Sequence, residues 1–327
     1  MTSRTTAPAP PGQASGDPVA VAPAAPAPAP APRRRTQRLP LLLVLPTVVL
    51  LVAALGYPIG WQLVTSLRKF GLAQQFGAPP EWVGLDNYAA LVTDPALWAV
   101  VLRSVAFCLV TAFFTVLVGG AVAVLMNALD RWPRLVLQVS LLLAWAMPVV
   151  AAMTVWIWLV DWRRGLLNWL LVRVGVEGAA GHNWLAEPWS FFVVASLVVV
   201  WMSVPFVALS IYAGLTQVGT EVVEASMLDG AGGLQRLRFI YAPLIAPVLS
   251  IVLLLQVIWD LRVFTQVRLL QDAGSVANET NLLGTYVYQL GTGKGDFGTA
   301  SAVSVLVLAL TLALSWPYVR SLTSQES

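Results

Sequence analysis

The sequence predicts an all-α integral membrane protein with six transmembrane helices. Its composition is that of a membrane protein, because 58% of the 327 residues are hydrophobic and 11% are charged, whereas about 25% of the residues in a soluble domain are charged. The mean hydropathy of +0.76 agrees. Six apolar runs reach the length of about 20 residues that a membrane helix requires. None shows the period-two alternation of a β-barrel strand.

The six predicted spans are separated by short polar or proline-containing segments. They cover residues 41–66, 98–126, 135–160, 189–215, 244–270 and 299–320. Tryptophan is enriched where membrane helices meet the headgroup layer. Several predicted ends carry one: Trp61, Trp98, Trp132, Trp162, Trp189 and Trp316.

Both termini are predicted to be cytoplasmic. Residues 1–38 are rich in alanine and proline, which favours a disordered tail, or alternatively a proline-rich ligand for a partner domain. Four arginines, Arg33, Arg34, Arg35 and Arg38, end this tail and anchor it on the cytoplasmic side. The following run extends to about residue 67, which is too long for a signal peptide. Residues 39–320 then form the transmembrane domain, and residues 321–327 form a cytoplasmic C-terminal tail.

The remaining charges do not support this orientation by themselves. The segments 127–134 and 216–243 become cytoplasmic when six spans start from a cytoplasmic N-terminus. The predicted outer loops nevertheless contain six basic residues: Arg68, Lys69, Arg163, Arg164, Arg173 and Lys294.

The sequence offers no candidate catalytic or metal site. Cys108 lies alone in an apolar run and is expected to be a buried structural residue. His182, the one histidine, has no second metal-ligating residue near it and is expected to be a loop residue. The stretch GTGKG at 291–295 lacks the first glycine and the Ser/Thr of a phosphate-binding loop. The chain is therefore predicted not to be an enzyme.

The segment 216–243 is more polar than a simple connection between two spans requires. Residues 221–228 have helical spacing, and Gly230 is expected to end that helix in a sharp turn. Residues 234–239 are predicted to form a second short helix, and Pro243 marks the entry to the fifth span.

The first of these helices presents an apolar stripe flanked by acidic residues. Val223, Met227 and Leu228 form the stripe, and Glu224 lies beside them. An amphipathic helix that rests on lipid headgroups is an alternative, but such helices prefer basic residues on the polar face. The acidic residues favour a docking surface for a protein with a basic rim.

This loop resembles the EAA signature of the membrane subunits of ABC importers. Glu224, Ala225 and Ser226, followed by Gly230, Ile240 and Pro243, keep the spacing of that signature. The sequence departs from it at Ser226, where the signature has a second alanine, and at Ala242, where it has leucine.

Three longer segments are similar to the carbohydrate branch of these permeases. They are YAGLTQVGTEVVEASMLDGAG at 212–232, VGLDNYAALVTDPALWAVVLRSVAFCLV at 83–110, and TNLLGTYVYQLG at 280–291 together with residues 297–302.

The resemblance implies the fold and assembly of an ABC type I importer permease. Two such subunits form the pore, two cytoplasmic ATPase subunits bind ATP and Mg²⁺ beneath it, and an extracellular solute-binding protein delivers the cargo. The permease itself needs no cofactor or metal. The resemblance also implies a set of ATPase-coupling residues: Glu224, Ala225, Ser226, Asp229, Gly230, Ile240 and Pro243.

Polar residues in the fifth span are candidates for contact with cargo, because polar groups inside a span are expensive. Gln256 and Asp260 share one helix face, and Trp259, Arg262 and Gln266 share another. Tyr286 and Tyr288 are expected near the outer gate. An aromatic plane with hydrogen-bonding groups suits a sugar, so these residues form a predicted substrate path. A polar clamp between helices, or a salt bridge to the partner permease, is the alternative.

Four functions are compatible with a polytopic membrane protein, and the loop and the fifth span distinguish them. The resemblance favours a permease that imports a mono- or oligosaccharide, and a permease for a polyamine, phosphate ester or peptide is the closest alternative. An ion-driven transporter would show inverted repeats and midplane acids, and would leave the loop unexplained. A membrane scaffold would not require a polar fifth span.

Overall fold

The computed structural model describes residues 38–323. Most of the predicted N-terminal tail, residues 1–37, and the last four residues of the predicted C-terminal tail lie outside the described part. The chain forms two units, Met1–Ala53 and Ala54–Ser327. The described part of the first is a helix whose residues 42–53 are all exposed.

The described residues are mainly helical. The α-helices are α1 (Arg38–Leu51), α2 (Tyr57–Ser66), α3 (Leu72–Gln75), α4 (Asp86–Thr93), α5 (Pro95–Ala128), α6 (Arg131–Trp145), α7 (Val149–Leu159), α8 (Leu166–Arg173), α9 (Pro188–Leu215), α10 (Thr220–Leu228), α11 (Gly233–Arg236), α12 (Ala242–Leu244), α13 (Ala246–Leu261), α14 (Thr265–Asp272), α15 (Ala277–Thr280), α16 (Leu283–Tyr288) and α17 (Phe297–Thr323). Short π-helical segments lie at Val52–Gly56, Leu237–Tyr241 and Gln289–Gly293, and a 3₁₀ turn lies at Glu177–Ala179.

Five described helices are long and apolar enough to cross a membrane. They are Leu42–Ser66, Pro95–Ala128, Pro188–Leu215, Ala246–Asp272 and Phe297–Trp316. The pair α6 and α7 makes a sixth span if the two helices count as one. The fold is therefore the predicted all-helical membrane bundle, with spans close to the predicted positions.

The third span is broken, which corrects the expectation of one continuous helix over residues 135–160. The axes of α6 and α7 differ by 96°. Pro148 lies between them in an extended conformation, with φ −56° and ψ 132°. Because proline has no N–H and disfavours the helical conformation of the residue before it, α6 ends at Trp145 and a new helix begins after Pro148.

Helices α5 and α9 pack against each other more extensively than any other pair. Gly119 makes this possible, because a Cβ at its position would lie only 2.7 Å from Val207 Cγ1. Small residues at such contacts let membrane helices approach closely. With α13, these helices enclose a core cluster that includes Met126, Val207 and Ile211.

A group of hydrogen bonds connects several segments at the end of the bundle opposite residues 216–243. Strands β1 (Arg68–Lys69) and β2 (Glu81–Trp82) pair antiparallel. The Asn87 side chain donates to the carbonyls of Ser66 and Arg68, at 2.8 and 3.0 Å. Gly298 donates its N–H to Phe70 O at 2.9 Å. Residues 83–110 and 297–302, two of the segments that resemble carbohydrate permeases, are thus both hydrogen-bonded to residues 66–70.

Candidate functional site

The segment 216–243 contains helix α10 and a second, interrupted helical stretch, close to the prediction. Helix α10 covers Thr220–Leu228, against the predicted 221–228. The predicted second helix at 234–239 is split, since α11 ends at Arg236 and a π-helical segment continues to Tyr241. Pro243 lies in α12, immediately before the fifth span.

The turn after α10 is a Schellman motif, which favours a glycine. The N–H of Ala231 donates to Ser226 O at 3.0 Å, and the N–H of Gly230 donates to Met227 O at 3.1 Å. Gly230 has φ +78°, a conformation that side chains with a Cβ rarely adopt. The sharp turn expected from the sequence is therefore confirmed in its geometry.

Most α10 side chains that the sequence singles out are exposed. Glu224, Ala225 and Asp229 are exposed, and Leu228 is 90% exposed. Val223 is half-buried, so the apolar stripe is presented mainly by Met227 and Leu228. These residues form an acidic and apolar face that no other described part of the chain covers.

The remaining members of the predicted coupling set connect this face to the bundle. Ser226 is buried, and its hydroxyl donates to Val223 O at 2.6 Å, which explains why serine can replace alanine there. Ile240 is half-buried in the π-helical segment, and Pro243 is exposed. Tyr241 and Val218, on either side of α10, pack against the cluster that contains Ile245.

Replacement of Gly230 tests whether the loop depends on its left-handed turn. No atom lies within 4 Å of a Cβ at Gly230 or at Gly233, so both positions have open space for a Cβ. Of these two glycines, Gly230 has positive φ and Gly233 does not. We expect Gly230→Val to lose about 1–2 kcal/mol of loop stability and to bind ATPase subunits more weakly in a pull-down. Gly233→Val is the matched control. Equal binding by the two variants would contradict this role for the turn.

A cavity of about 460 Å³ opens beside the broken third span. Its walls come from the α6–α7 bend, from the middle of α9 and from the junction of α13 with α14. The lining residues include Trp145, Met147, Met202, Ser203, Phe264 and Thr265. The bend therefore borders the cavity, a relation that no sequence pattern indicated.

Four of the seven predicted substrate-path residues line this cavity: Trp259, Asp260, Arg262 and Gln266. They do not lie on one continuous helix face, because α13 ends at Leu261 and α14 begins only at Thr265. The break at residues 262–264 brings them to the same wall.

The cavity combines an aromatic plane with hydrogen-bonding groups. Trp259 is 45% exposed and packs edge-on against Phe206, with ring centroids 5.0 Å apart. Gln266 contacts Met202, with Nε2 3.7 Å from Sδ. The exposed Arg262 side chain has no hydrogen bond or ion pair with any residue in the described range.

Gln256 does not line the cavity and instead belongs to a buried polar clamp. Its Nε2 donates to Asp260 Oδ1 at 2.8 Å, and the Thr111 hydroxyl donates to Asp260 Oδ2 at 2.8 Å. The clamp therefore links α5 to α13 and orients Asp260 at the cavity wall. It corresponds to the alternative role that the sequence left open for these residues. Thr111 was not predicted, and its signal would have been a threonine inside an apolar span.

The two tyrosines lie in different surroundings. Tyr288 lines a second cavity of about 390 Å³ and stacks under Arg268, whose Cζ lies 5.0 Å from the ring centroid. Tyr286 is 7% exposed and lines neither cavity. Its hydroxyl donates to Asp94 Oδ2 at 3.4 Å, and burial together with the Asp94 charge raises the pKa of Tyr286.

The comparison with known families decides the identity of the chain. The family described as "Binding-protein-dependent transport system inner membrane component" matches residues 115–320. The chain belongs to this family. The matched region contains both the 216–243 loop and the larger cavity of the permease.

Several curated relatives are named as sugar permeases. The permease is 38% identical over 287 residues to the diacetylchitobiose uptake system permease protein DasB of Streptomyces coelicolor, with 88% of this chain and 87% of the relative covered. It is 30% identical to the sulfoquinovosyl glycerol permease SmoG of Agrobacterium fabrum, with 89% and 92% covered. It is 32% identical to the trehalose/maltose permease MalF of Thermococcus litoralis, with 73% and 79% covered.

A solved structure supports the fold. A chain from a bacterial ABC transporter for the import of the acidic polysaccharide alginate superposes with a TM-score of 0.71 at 21% identity, covering 84% of the permease and 92% of that chain. The permease therefore has the helical fold of an ABC importer membrane subunit.

Proposed function

We propose that this permease is one of two pore-forming subunits of an ATP-driven importer for a mono- or oligosaccharide. A solute-binding protein outside the cell delivers the sugar, and ATP and Mg²⁺ bind to separate cytoplasmic ATPase subunits. The permease lies in the cell membrane with both termini and the 216–243 loop in the cytoplasm. It has no catalytic role of its own.

The observation that carries the sugar assignment is the composition of the larger cavity. Trp259 offers an aromatic plane for the C–H faces of a sugar ring, and Gln266 and Arg262 offer hydrogen-bonding groups for hydroxyls. The names of the relatives with 30–38% identity support the same class of cargo.

The 216–243 loop supports an ATP-driven mechanism. We infer that α10 enters a cleft of the ATPase and that Glu224 faces a basic residue there. Closure of the ATPase dimer would then move α10 and the spans on both sides of it as rigid bodies, which gives alternating access. The Schellman turn keeps the short helix rigid enough to transmit this motion.

A transport assay with purified components tests the cargo. The permease, its partner permease, the ATPase and the binding protein are reconstituted in liposomes, and uptake is measured for sugars, phosphate esters, polyamines and peptides. We expect sugar uptake that depends on ATP and on the binding protein. Uptake of a non-sugar solute alone would replace the sugar assignment with the alternative, and the unpaired Arg262 would then favour an anionic cargo.

A pair of tryptophan variants tests the cavity. We expect Trp259→Leu to lower the uptake rate at saturating loaded binding protein by roughly three- to tenfold, because an aromatic contact contributes about 0.5–1.5 kcal/mol. Trp158→Leu is the control, since Trp158 is 53% exposed and lines neither cavity. Equal rates for the two variants would show that cargo does not contact this wall.

A further inference from the structure

The connection between α7 and α9 carries an apolar helix turned outward. Helix α8 has its one uncharged polar residue inside: Asn168 is 7% exposed, donates to His182 O at 2.9 Å and accepts from Trp184 Nε1 at 2.5 Å. Leu166, Trp169 and Leu170 are exposed and lie on one face at positions i, i+3 and i+4. This arrangement is the reverse of an ordinary surface helix in water.

Two exposed arginines of this connection each stack on a tryptophan. The Arg163 guanidinium carbon lies 4.3 Å from the ring centroid of Trp162, and that of Arg173 lies 5.1 Å from the ring centroid of Trp169. Neither guanidinium is paired with a carboxylate, because the ion pair between residues 268 and 272 is the one found in the described range. The main-chain N–H of Arg163 donates to Asp161 Oδ1 at 3.0 Å. Stacking uses the face of a guanidinium and leaves its N–H edge available to an anion.

This outward face lies at the level where α9 emerges from the membrane. Helix α9, a membrane span, begins at Pro188, and its first turn carries Trp189, which is 80% exposed. The connection is at the end of α9 opposite to the 216–243 loop. Its exposed apolar side chains therefore lie where the chain passes from one membrane-spanning segment to the next.

We propose that Trp162, Arg163, Trp169, Leu170 and Arg173 form a binding surface for anionic phospholipid headgroups on the side of the membrane opposite the ATPase. The leucine and the indole rings enter the boundary between headgroups and acyl chains, where amphipathic aromatic rings are favoured. The guanidinium edges bind the lipid phosphates by charge-assisted hydrogen bonds. The surface also gives a role to two of the three arginines in a loop that orientation by charge would leave without them.

Lipid retention tests the charged part of this surface. The full-length permease, with the subunits that copurify, is placed in nanodiscs of equal phosphatidylglycerol and phosphatidylcholine, and the lipids it retains are counted by native mass spectrometry. We expect Arg163→Gln/Arg173→Gln to lose preference for phosphatidylglycerol by about fivefold for each guanidinium removed.

A charge-matched control separates this surface from general electrostatics. Lys69→Gln/Lys294→Gln removes two exposed positive charges from the same side of the bundle without touching the stacked pairs. We expect this variant to keep the wild-type preference. An equal loss in both variants, or no preference in the wild type, would overturn the proposal.

A photocrosslinking residue in place of Leu170 tests the apolar part. In native membranes we expect the main product to be a phospholipid adduct, identified by its mass. A product with the solute-binding protein or another protein as the main adduct would show that the surface binds a protein, and would overturn the lipid assignment.

Discussion

Glu224→Lys is expected to abolish cargo-stimulated ATP turnover while the permease stays in the membrane. Glu224 is exposed on α10 and makes no contact within the described chain that its replacement would break. If the facing ATPase surface is basic, the substitution sets like charges against each other, which costs several kcal/mol. We expect stimulated turnover to fall at least tenfold, measured as ATP hydrolysis with and without loaded binding protein.

Two further variants separate coupling from a general effect of charge. Glu224→Gln removes the charge without reversing it and should give an intermediate rate. Glu177→Lys makes the same reversal at an exposed residue at the other end of α9 and should leave turnover unchanged. Normal stimulation in Glu224→Lys would remove α10 from the coupling path.

Gly119→Val is expected to separate α5 from α9 and to lower the yield of folded protein strongly. Even a single methyl group would approach Val207 Cγ1 to 2.7 Å and Ala208 N to 3.2 Å, and valine adds two more carbons. Overpacking of a core by such groups costs about 1–3 kcal/mol. We expect a fall of roughly 5 °C or more in the melting temperature of the detergent-purified permease.

The next residue provides the control. A Cβ at Gly120 would meet only Ile211 Cδ1, at 3.9 Å, which is an ordinary contact. Because Gly120 belongs to the same helix, Gly120→Val changes helix propensity and hydrophobicity to the same extent. A similar melting temperature for both variants would mean that the close approach at Gly119 can relax without cost.

Helix existence and loop chemistry could be predicted because they depend on local pattern. The length of the apolar runs predicted the spans to within a few residues, and the spacing around Gly230 predicted the end of α10. The left-handed conformation of Gly230 followed from the same local rule, since a glycine after a helix commonly adopts it. The role of α10 in coupling depends on a partner protein and not on local pattern, so it stays a prediction.

Interruptions within spans could not be predicted in the same way. Pro148 lies in an apolar stretch that reads as continuous, and a proline in a membrane helix is compatible with either a mild kink or a complete break. No proline or glycine follows Leu261 at residues 262–264, so the sequence contains no signal for the break there. The sequence also could not show which helix each polar residue of the fifth span would face. Gln256 belongs to the clamp between α13 and α5, whereas Trp259 lines the cavity.

The broken third span leaves the permease a hydrogen-bond acceptor that no side-chain substitution can remove. The last four carbonyls of a helix have no partner one turn ahead. The Met147 N–H donates to Ala144 O at 3.4 Å, whereas no group in the described chain donates to the carbonyl of Trp145, which ends α6 and lines the larger cavity. Main-chain oxygens at a cavity rim are chemically the same whatever residues surround them. A permease built in this way can exchange its side chains to fit a new cargo while a constant part of its affinity for polar molecules is inherited unchanged.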